Sequence, residues 1–357
     1  MTPDSGSREQ HVLRFESDYM EGAHPAILER LQETNFNQTS GYGSDEYCEH
    51  ARELIRAACE CELADVRFLV GGTQANATVI DALLAPWQGV ISIDEGHISV
   101  HEAGAVEASG HKVLCVSGQS GKLSADTVRE FCQAFFADAN HEHEVEPGAV
   151  YISHPSEYGT LYTEAELRDL RRVCDEFRLR LFLDGARLGY GLAALDTDVT
   201  LPVIARTCDA FTIGGTKVGA LFGEAVVFPD PSAVSHFLTQ TKRHGGLLAK
   251  GRLLGIQFEV LFTDGRYMEI SRHAIEAALR VRDAVRQAGF DQYIDSPTNQ
   301  QFIVVDPKQR AWLQERVACG FMLDLPDGRS VLRFATSWAT RDADVDALLD
   351  TIAKIPR

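Results

Sequence analysis

The 357-residue sequence lacks a long apolar run, because no stretch approaches the roughly 20 uninterrupted apolar residues that a membrane-spanning helix needs. Its first residues, MTPDSGSREQHVLRF, also lack an apolar segment of signal-peptide length. We therefore expect a cytoplasmic protein that does not bind a membrane.

Basic residues are scarce relative to acidic ones. The chain has 34 Lys and Arg against 52 Asp and Glu, which gives a formal net charge of -18 at pH 7. No basic block is available to offset the repulsion from a phosphate backbone. Nucleic acid is therefore not an expected partner.

Regularly spaced disulfide or metal ligands are missing as well. The cysteines contain no C-x-x-C pair, which is typical of reduced thiols in a cytosolic protein. The most biased segment, ANHEHEVEPG (139–148), has two histidines and three glutamates, but neither a cysteine nor a regular spacing supports a metal site. We expect a solvated loop and no metal there; a metal-dependent hydrolase built on residues 141–144 is the alternative.

Short apolar runs alternate with helical patterns from about residue 65, which predicts an α/β fold with a mostly parallel central sheet and helices on both faces. The predicted strands are GVISID (89–94), KVLCVS (112–117), AVYIS (149–153), LFLD (181–184), DAFTIGG (209–215) and GEAVVF (223–228). A helix is predicted between the first two strands, over HISVHEAGAVEAS (97–109). Another begins at Thr163 and Glu166, which have the spacing of a capping box.

The pattern changes after residue 245, where long helical stretches begin. We place an N-terminal segment and a large domain at residues 1–245, and a smaller C-terminal α/β domain at residues 246–357. The smaller domain is predicted from QFIVV (301–305), a helix, and a hairpin that turns at PDG (326–328) before VLRFAT (331–336). We expect the first 50 residues, which are mixed and rich in turn formers, to lie over the larger domain or a neighbouring subunit, and their pattern does not choose between these two.

Three motifs carry polar residues next to apolar runs. LFLDGARLGY (181–190) carries Asp184 and Arg187 out of a buried strand, and burying such charges is costly unless they have partners. VGGTQANATVIDALL (70–84) places Gly72 and Thr73 at a helix start, where backbone amides and the helix dipole can bind a phosphate. FTIGGTKVGALFGEAVVF (211–228) surrounds Lys217 with glycines, and a lysine that attacks a carbonyl must be partly desolvated.

Together these motifs supply what pyridoxal 5'-phosphate needs: amides for its phosphate, a lysine for its aldehyde, and a carboxylate that keeps its ring nitrogen protonated. DEGHISVHEAGA (94–105) adds His97, which could stack on the ring, and Glu102, which could act in proton transfer. Taken singly, the motifs can also be a glycine turn before a helix, a lysine at a strand end, and a capping or core histidine. Their combination favours a pyridoxal phosphate site.

The same motifs resemble the threonine aldolase and β-eliminating lyase family of fold-type I pyridoxal-phosphate enzymes. The resemblance covers most of the chain, and the order and spacing of the motifs both match. The matching segments are FESD (15–18), GYGSD (41–45), GGTQAN (71–76), GHISVHEAGA (96–105), LDGARL (183–188), GGTKVGALFGEAVV (214–227) and LRFATSWAT (332–340).

The resemblance implies roles for individual residues and an association between subunits. It assigns to the cofactor Gly72 and Thr73 at the phosphate, His97 on the ring face, Asp184 at the ring nitrogen, Lys217 in the Schiff base, and Thr216, Arg187, Arg243 and Lys250. Ser17 and Arg333 would hold the substrate carboxylate, together with Arg187, and the fork of an arginine suits that task. Because Arg243 and Lys250 match positions that reach the phosphate of a neighbouring subunit, the resemblance implies a homo-oligomer, a dimer or a tetramer, with active sites at the subunit interface.

One segment departs from the family pattern. Where the family reads E-N-T-H-N, with a histidine near the substrate hydroxyl, this chain has ISHPSEYGT (152–160). Pro155 falls at the histidine position, and His154, one residue earlier, is the expected substitute.

The function implied is that of a pyridoxal-phosphate-dependent lyase. It would cleave a β-hydroxy-α-amino acid of the threonine, allo-threonine or phenylserine type to glycine and an aldehyde. The catalytic residues would be Lys217, His97, Asp184, Glu102 and His154. The alternatives are a β-eliminating lyase or an aminotransferase on the same fold, and a non-catalytic ligand-binding protein.

Overall fold

A computed structural model of the protein describes residues 12–357; residues 1–11 of the predicted N-terminal segment lie outside the described part. The strands are β1 (Leu13–Phe15), β2 (Asp65–Leu69), β3 (Gln88–Ile93), β4 (Val113–Val116), β5 (Glu146–Ser153), β6 (Arg180–Asp184), β7 (Ala210–Gly214), β8 (Glu224–Phe228), β9 (Gln300–Val305), β10 (Val317–Asp324) and β11 (Ser330–Ala335). The helices are α1 (Pro25–Glu33), α2 (Glu46–Ala58), α3 (Gly72–Leu83), α4 (His97–Val100), α5 (Ala105–Ala108), α6 (Ala125–Ala137), α7 (Glu164–Phe177), α8 (Leu188–Leu192), α9 (Leu201–Thr207), α10 (Phe237–Arg243), α11 (Arg252–Phe262), α12 (Arg266–Gln287), α13 (Pro307–Gln314) and α14 (Asp342–Ile352). Within residues 12–357, no helix combines the length and the apolar character that crossing a membrane requires.

The larger sheet has seven strands in the order β2-β8-β7-β6-β5-β3-β4. Its strands run parallel except β8, which is antiparallel to both of its neighbours. Helix α7 returns the chain from β5 to β6 and begins at the predicted capping box, in which Thr163 and Glu166 each accept the backbone N–H of the other. The predicted mostly parallel α/β sheet is therefore confirmed.

Helices cover both faces of this sheet. Val150 and Ile152 of β5 pack in a hydrophobic cluster with residues of α7, whereas Ala149 and Tyr151 pack in a second cluster with residues of α3. Because successive side chains of a strand point to opposite faces, the two clusters lie on opposite sides of the sheet. Because helices cover both faces, consecutive residues of β5 are buried rather than every second one.

The smaller sheet has four strands in the order β1-β10-β11-β9. β10 and β11 form the hairpin predicted around residues 326–328, and α12 and α14 pack behind the sheet. β1 forms the edge of the sheet farthest from β9. It pairs with β10, and Leu13 is the register partner of Val317. The segment that follows β1, which contains Ser17, is therefore anchored to the smaller sheet, so the expectation that the first 50 residues lie over the larger domain or a neighbouring subunit is wrong for β1. The domain boundary at residue 245 stays a prediction.

The single helix predicted over residues 97–109 is wrong. The structure has two short helices there, α4 and α5, because Ala103 (φ 51°) and Gly104 (φ 73°) adopt the left-handed conformation and end the helical path. The break lies directly after Glu102, whose side chain is buried in the interior rather than exposed along a helix.

The ends of β6 and β7 approach each other unusually closely. The backbone N–H of Gly185 donates to Thr212 Oγ1 at 2.8 Å, and the N–H of Gly214 donates to the carbonyl oxygen of Gly185 at 2.9 Å. A Cβ atom at position 185 would lie 2.0 Å from the carbonyl oxygen of Thr212. Glycine is therefore required after Asp184, and this contact fixes where that carboxylate leaves the sheet.

We predict that Gly185→Ala lowers the free energy of unfolding by more than about 2 kcal/mol, because backbone atoms must move to accept the methyl group. Urea denaturation followed by circular dichroism measures the effect. The control is Gly22→Ala, where an added Cβ would meet nothing within 4 Å. Equal stability of the two variants would contradict the close approach of β6 and β7.

Candidate active site

The polar residues singled out in the sequence gather at one edge of the large sheet. Asp184 is the last residue of β6 and lies opposite Ser153, the last residue of β5. His97 begins α4 just after β3, Lys217 follows the end of β7, and Gly72 begins α3 just after β2. These strands are parallel, so their carboxyl ends meet at the edge where α/β sheets bind ligands.

The carboxylate of Asp184 is buried, with 5% of the residue exposed, and accepts three hydrogen bonds. The donors are the Tyr151 hydroxyl at 2.6 Å, Asn76 Nδ2 at 2.8 Å and the Ala186 backbone N–H at 2.9 Å. Burial by itself raises the pKa of a carboxyl, but the charge of His97 and these three donors outweigh it and lower the pKa of Asp184 below its ordinary value. Asp184 is therefore an anion inside the protein.

His97 and Glu102 form a second pair next to Asp184. His97 Nδ1 lies 2.7 Å from Glu102 Oε1, and Asn76 Nδ2 donates to the same oxygen at 2.7 Å. Burial lowers the pKa of His97, but the hydrogen bond to Glu102 and the charges of Glu157 and Asp184 outweigh burial and raise the pKa above its ordinary value. Asn76 therefore links both carboxylates, and the Nε2 atom of His97 is left for a ligand.

The same three residues could in principle hold a metal, since ligand atoms of His97, Glu102 and Asp184 all lie within 4.8 Å of one another. However, the protons of Asn76 and Tyr151 point at these carboxylate oxygens and compete with a cation. This is the one such group in the part of the chain that the structure describes. Residues 141–144, the basis of the hydrolase alternative, are not part of such a group; residues 141–143 form a 3-10 turn in which the His141 ring bonds to a backbone carbonyl.

A buried ion pair joins three distant parts of the chain. Asp18 accepts from Arg187 Nε at 2.6 Å and Nη2 at 3.0 Å, and Asn299 Nδ2 donates to Asp18 at 2.9 Å. Burial raises the pKa of Asp18, but the charge and hydrogen bonds of Arg187, the charge of Lys217 and the Asn299 bond hold it well below its usual range. Asp18 thus occupies one edge of the Arg187 guanidinium that the sequence assigned to a ligand, while Nη1 lies outside the pair.

Arg333 and Ser17 carry buried polar atoms without partners. Arg333 Nη1 donates to Gln300 at 2.9 Å and Nη2 to the backbone oxygen of Glu16 at 3.1 Å, so the guanidinium lies beside the segment that contains Ser17. Arg333 Nε and Ser17 Oγ have no hydrogen-bond partner among the described residues. Both atoms are enclosed and unbonded, which is rare for buried polar atoms.

Lys217 lies in the turn between β7 and β8 and is half-buried. Its backbone oxygen accepts from the Tyr190 hydroxyl at 2.5 Å, which fixes the turn, and its Nζ lies 5.9 Å from the ring centroid of Tyr19. The preceding residue, Thr216, donates from its hydroxyl to Glu224 at 3.0 Å. The lysine is therefore held at the edge occupied by Asp184, with one residue of the N-terminal segment beside it.

The start of α3 is open. Its N-cap residue, Gly71, provides no capping side chain, and a Cβ at Gly71 or Gly72 would meet nothing within 4 Å. The amides of Gly72 and Thr73 are thus at a helix N-terminus with free space above it, which suits a phosphate.

The backbone N–H of His154 donates to the Asp184 carbonyl oxygen at 2.9 Å, but no hydrogen bond joins the His154 side chain to this cluster. His154 is fully buried, its Nδ1 accepts from the Tyr162 backbone N–H at 3.3 Å, and its ring lies 6.3 Å from the Tyr162 ring. Burial, together with the charge of Lys122, lowers the pKa of His154 to about 4, so the ring is neutral. The catalytic role of His154 stays an untested prediction, and its position does not support it.

Arg243 and Lys250 also lie away from the cluster. The Arg243 side chain is 57% exposed and pairs with Asp81 at 2.6 Å, and Lys250 is exposed.

Several residues of the site were not predicted from the sequence. Asn76 and Asp18 stand inside motifs that were identified, but no role was assigned to them. Tyr151 lies on a strand buried on both faces, where a hydroxyl needs a partner, and that requirement is a signal that could have pointed to Asp184. Glu224 lies inside the glycine-rich motif of Lys217, and its burial could not be predicted from the sequence.

The fold and site define a class of enzymes. Aspartate aminotransferase from Thermus thermophilus superposes with a TM-score of 0.71 at 15% identity, over 97% of this chain and 92% of the other, which shows the fold-type I architecture of pyridoxal-phosphate enzymes. A family model described as beta-eliminating lyase matches residues 14–307. The chain therefore belongs to the β-eliminating lyase family and is a lyase of the pyridoxal-phosphate-dependent class.

Threonine aldolases are among its similar proteins. A structure of threonine aldolase from Leishmania major has a TM-score of 0.91 and 39% identity, over 95% of this chain and 98% of the other. A low-specificity L-threonine aldolase from a Pseudomonas species is 27% identical over 349 residues, which are 96% of this chain and 97% of that protein. The resemblance stated from the motifs is confirmed.

We predict that Asp18→Asn lowers the free energy of unfolding by about 3–5 kcal/mol at pH 7, because Arg187 keeps its burial and loses its counter-charge. Urea denaturation at several pH values measures this. The folded pKa of Asp18 is depressed, so its stabilisation is present above the unfolded value of about 3.9 and is lost as the pH falls below it. The difference between wild type and variant should therefore narrow below about pH 4.

The control is Asp126→Asn, which removes an ion pair in which the Asp126 side chain is 86% exposed. It should change the free energy of unfolding by less than about 1 kcal/mol. A gap between wild type and Asp18→Asn that stays constant down to pH 3 would contradict the assignment.

Proposed function

We propose that this protein is an aldolase that uses pyridoxal 5'-phosphate to cleave a β-hydroxy-α-amino acid to glycine and an aldehyde. Threonine, allo-threonine and phenylserine are the substrate types considered. The observation that carries the proposal is the pairing of two features on one sheet edge. A buried anion, Asp184, lies on one side of Lys217, and the unpartnered Arg333 Nε and Ser17 Oγ lie beside the N-terminal segment that reaches the same lysine.

The residues present fit the cofactor. The free amides at the start of α3, from Gly72 and Thr73, would bind its phosphate, and the Asp184 carboxylate would accept a hydrogen bond from its protonated ring nitrogen. His97 would stack on the ring, and Lys217 would bond to its carbonyl carbon. When bound, the protonated ring accepts the electron pair released at the substrate α-carbon.

The residues around Arg333 would bind and orient the amino acid. Arg333 and Ser17 offer two donors to the substrate carboxylate, and the Nη1 atom of Arg187 can add a third. Asp18 holds Arg187 in place and balances its charge. Of the three cations Arg187, Arg333 and Lys217, one is therefore neutralised within the protein. Fixing the carboxylate sets which bond of the α-carbon is broken.

His97 is the residue best placed to take the proton of the substrate hydroxyl, directly or through a water. Its Nδ1 is engaged by Glu102, which leaves Nε2 as the proton acceptor and stabilises the ring once it is charged. Glu102 is therefore a positioning residue in this proposal, since its oxygen is already bonded to both His97 and Asn76.

Association of subunits and location are part of the same proposal. Arg243 and Lys250 are exposed and lie outside the cluster of their own chain, which supports their action at the phosphate of a neighbouring subunit in a dimer or tetramer. The eight cysteines, Cys48, Cys59, Cys61, Cys115, Cys132, Cys174, Cys208 and Cys319, are all free thiols, which supports a cytoplasmic location.

β-Elimination is the second candidate reaction, because the family model is described by that activity. It would release ammonia and a keto acid from threonine or serine, whereas aldol cleavage of threonine releases glycine and acetaldehyde.

We predict that the purified protein releases glycine and acetaldehyde in equal amounts from at least one of the four threonine stereoisomers. Amino acid analysis and an aldehyde-reductase assay measure the two products. A protein that retains the cofactor but yields ammonia and a keto acid instead would replace the aldolase assignment by β-elimination.

Lys217→Ala tests the role of this lysine, and Lys112→Ala is the matched control, because Lys112 is exposed. After borohydride treatment, mass spectrometry should find the cofactor on the wild type and on Lys112→Ala, but not on Lys217→Ala. Cofactor attached to Lys217→Ala would contradict the role of this lysine.

A further inference from the structure

Glu224 is a buried acid to which neither the motifs nor the proposed function gives a role. It is the first residue of β8, the strand that runs antiparallel to its neighbours. Its backbone pairs with Gly214, three residues before Lys217, and with Leu69, three residues before Gly72. The strand direction therefore places this one carboxyl between the lysine turn and the start of α3.

The Glu224 side chain lies on the α3 face of the sheet. Val226 and Phe228 of the same strand pack in the cluster that contains residues of α3, and Glu224 shares their face because side chains alternate along a strand. Tyr151 belongs to the same cluster and bonds to Asp184. Glu224 and Asp184 are thus carboxyls of one face, one on each side of β7.

The surroundings of Glu224 do not support a charge. The residue is 3% exposed, its Oε1 has a single bond, from the Thr216 hydroxyl at 3.0 Å, and its Oε2 is buried with no partner among residues 12–357. No Lys, Arg or His in that range forms a salt bridge with it. The Gly215 backbone N–H also favours the ionised form, but two neutral donors do not offset the burial of a carboxylate, and such a group keeps its proton.

Charged and titratable groups on the neighbouring elements do not reverse this. Lys217, in the turn after β7, favours the ionised form, whereas Asp184 on β6 opposes it, and Tyr267 on α12 is neutral. β2 contributes Leu69, and the first two turns of α3, residues 72–79, contain no charged residue. Burial dominates and raises the pKa of Glu224 to about 8.

We propose that Glu224 is a neutral carboxylic acid, so that the start of β8, next to the phosphate site at the start of α3, carries no charge. We further propose that ionisation of Glu224 in alkaline solution weakens binding of a phosphate-bearing ligand. The start of α3 attracts an anion through free amides and the helix dipole. A second negative charge on the adjacent strand opposes that attraction. The identity of the ligand as pyridoxal phosphate rests on the proposed function, whereas the protonation of Glu224 does not.

Binding of two probes to the cofactor-free protein tests whether ionisation of Glu224 weakens phosphate binding. Pyridoxal 5'-phosphate and inorganic phosphate are titrated at pH 7.5 and 9.5 into wild type, Glu224→Gln and Glu142→Gln, with tryptophan fluorescence or calorimetry as the readout. Inorganic phosphate cannot react with Lys217, so it isolates the anion site. Glu142 is exposed and serves as the matched control.

The Kd of each probe should rise between the two pH values several-fold more in wild type and Glu142→Gln than in Glu224→Gln, because only the first two gain a negative charge beside the anion site. An equal pH dependence in wild type and Glu224→Gln overturns the proposal.

The thermal stability of the cofactor-free protein tests, without any ligand, whether Glu224 is protonated in the folded state. Unfolded glutamate ionises near pH 4.3, whereas folded Glu224 ionises near 8, so the unfolded state loses its proton first and folding weakens as the pH rises between these values. Glutamine has no such loss, so the Tm of Glu224→Gln relative to wild type should increase from pH 5 to pH 9. Glu224→Met, also neutral, provides the same comparison if the glutamine variant does not fold.

The two measurements separate the two claims. A Tm difference that does not change with pH shows that Glu224 is ionised in the folded protein and overturns the inference. A pH-dependent Tm difference in a protein that binds no pyridoxal phosphate supports the protonation of Glu224 and overturns the proposed function.

Discussion

The site depends on one constraint: Asp184 must stay ionised inside the protein. A buried carboxylate is tolerated only when donors replace the water it has lost. Three donors do so here, from Tyr151, Asn76 and the backbone of Ala186, and the charge of His97 adds to them. Asn76 also bonds to the Glu102 that holds His97, so the anion and the histidine are positioned by one network.

The fold places this network and completes it from a distance. Parallel strands bring Asp184, His97 and Lys217 to one sheet edge, and the close contact of β6 with β7 fixes the first of them. The smaller sheet closes the other side, because β1 carries the segment of Ser17 into it and β11 carries Arg333. The ion pair between Asp18 and Arg187, braced by a residue that precedes β9, connects the two sheets at the site.

The sequence was sufficient for the parts of the structure that repeat a local pattern. The strands around Asp184, the capping box of α7 and the hairpin near residue 327 were predicted because each depends on neighbouring residues. The helix over residues 97–109 was mispredicted, since the left-handed conformation of Ala103 and Gly104 has no signal in the helical periodicity. Contacts between residues far apart in the chain, such as the ion pair of Asp18 with Arg187, could not be predicted, because a local sequence pattern carries no information about them. For the same reason, the burial of the His154 ring beside Tyr162 could not be predicted, and its assigned catalytic role stays a prediction.

Infrared spectroscopy of the cofactor-free protein tests the central claim most directly. The difference spectrum between wild type and Asp184→Asn isolates the carboxyl group of Asp184. We predict a carboxylate stretch at pH 7 that persists below pH 3.9, the ordinary midpoint for aspartate. A carbonyl stretch of the protonated acid at pH 7 would contradict the account, because a neutral Asp184 could not hold a protonated ring.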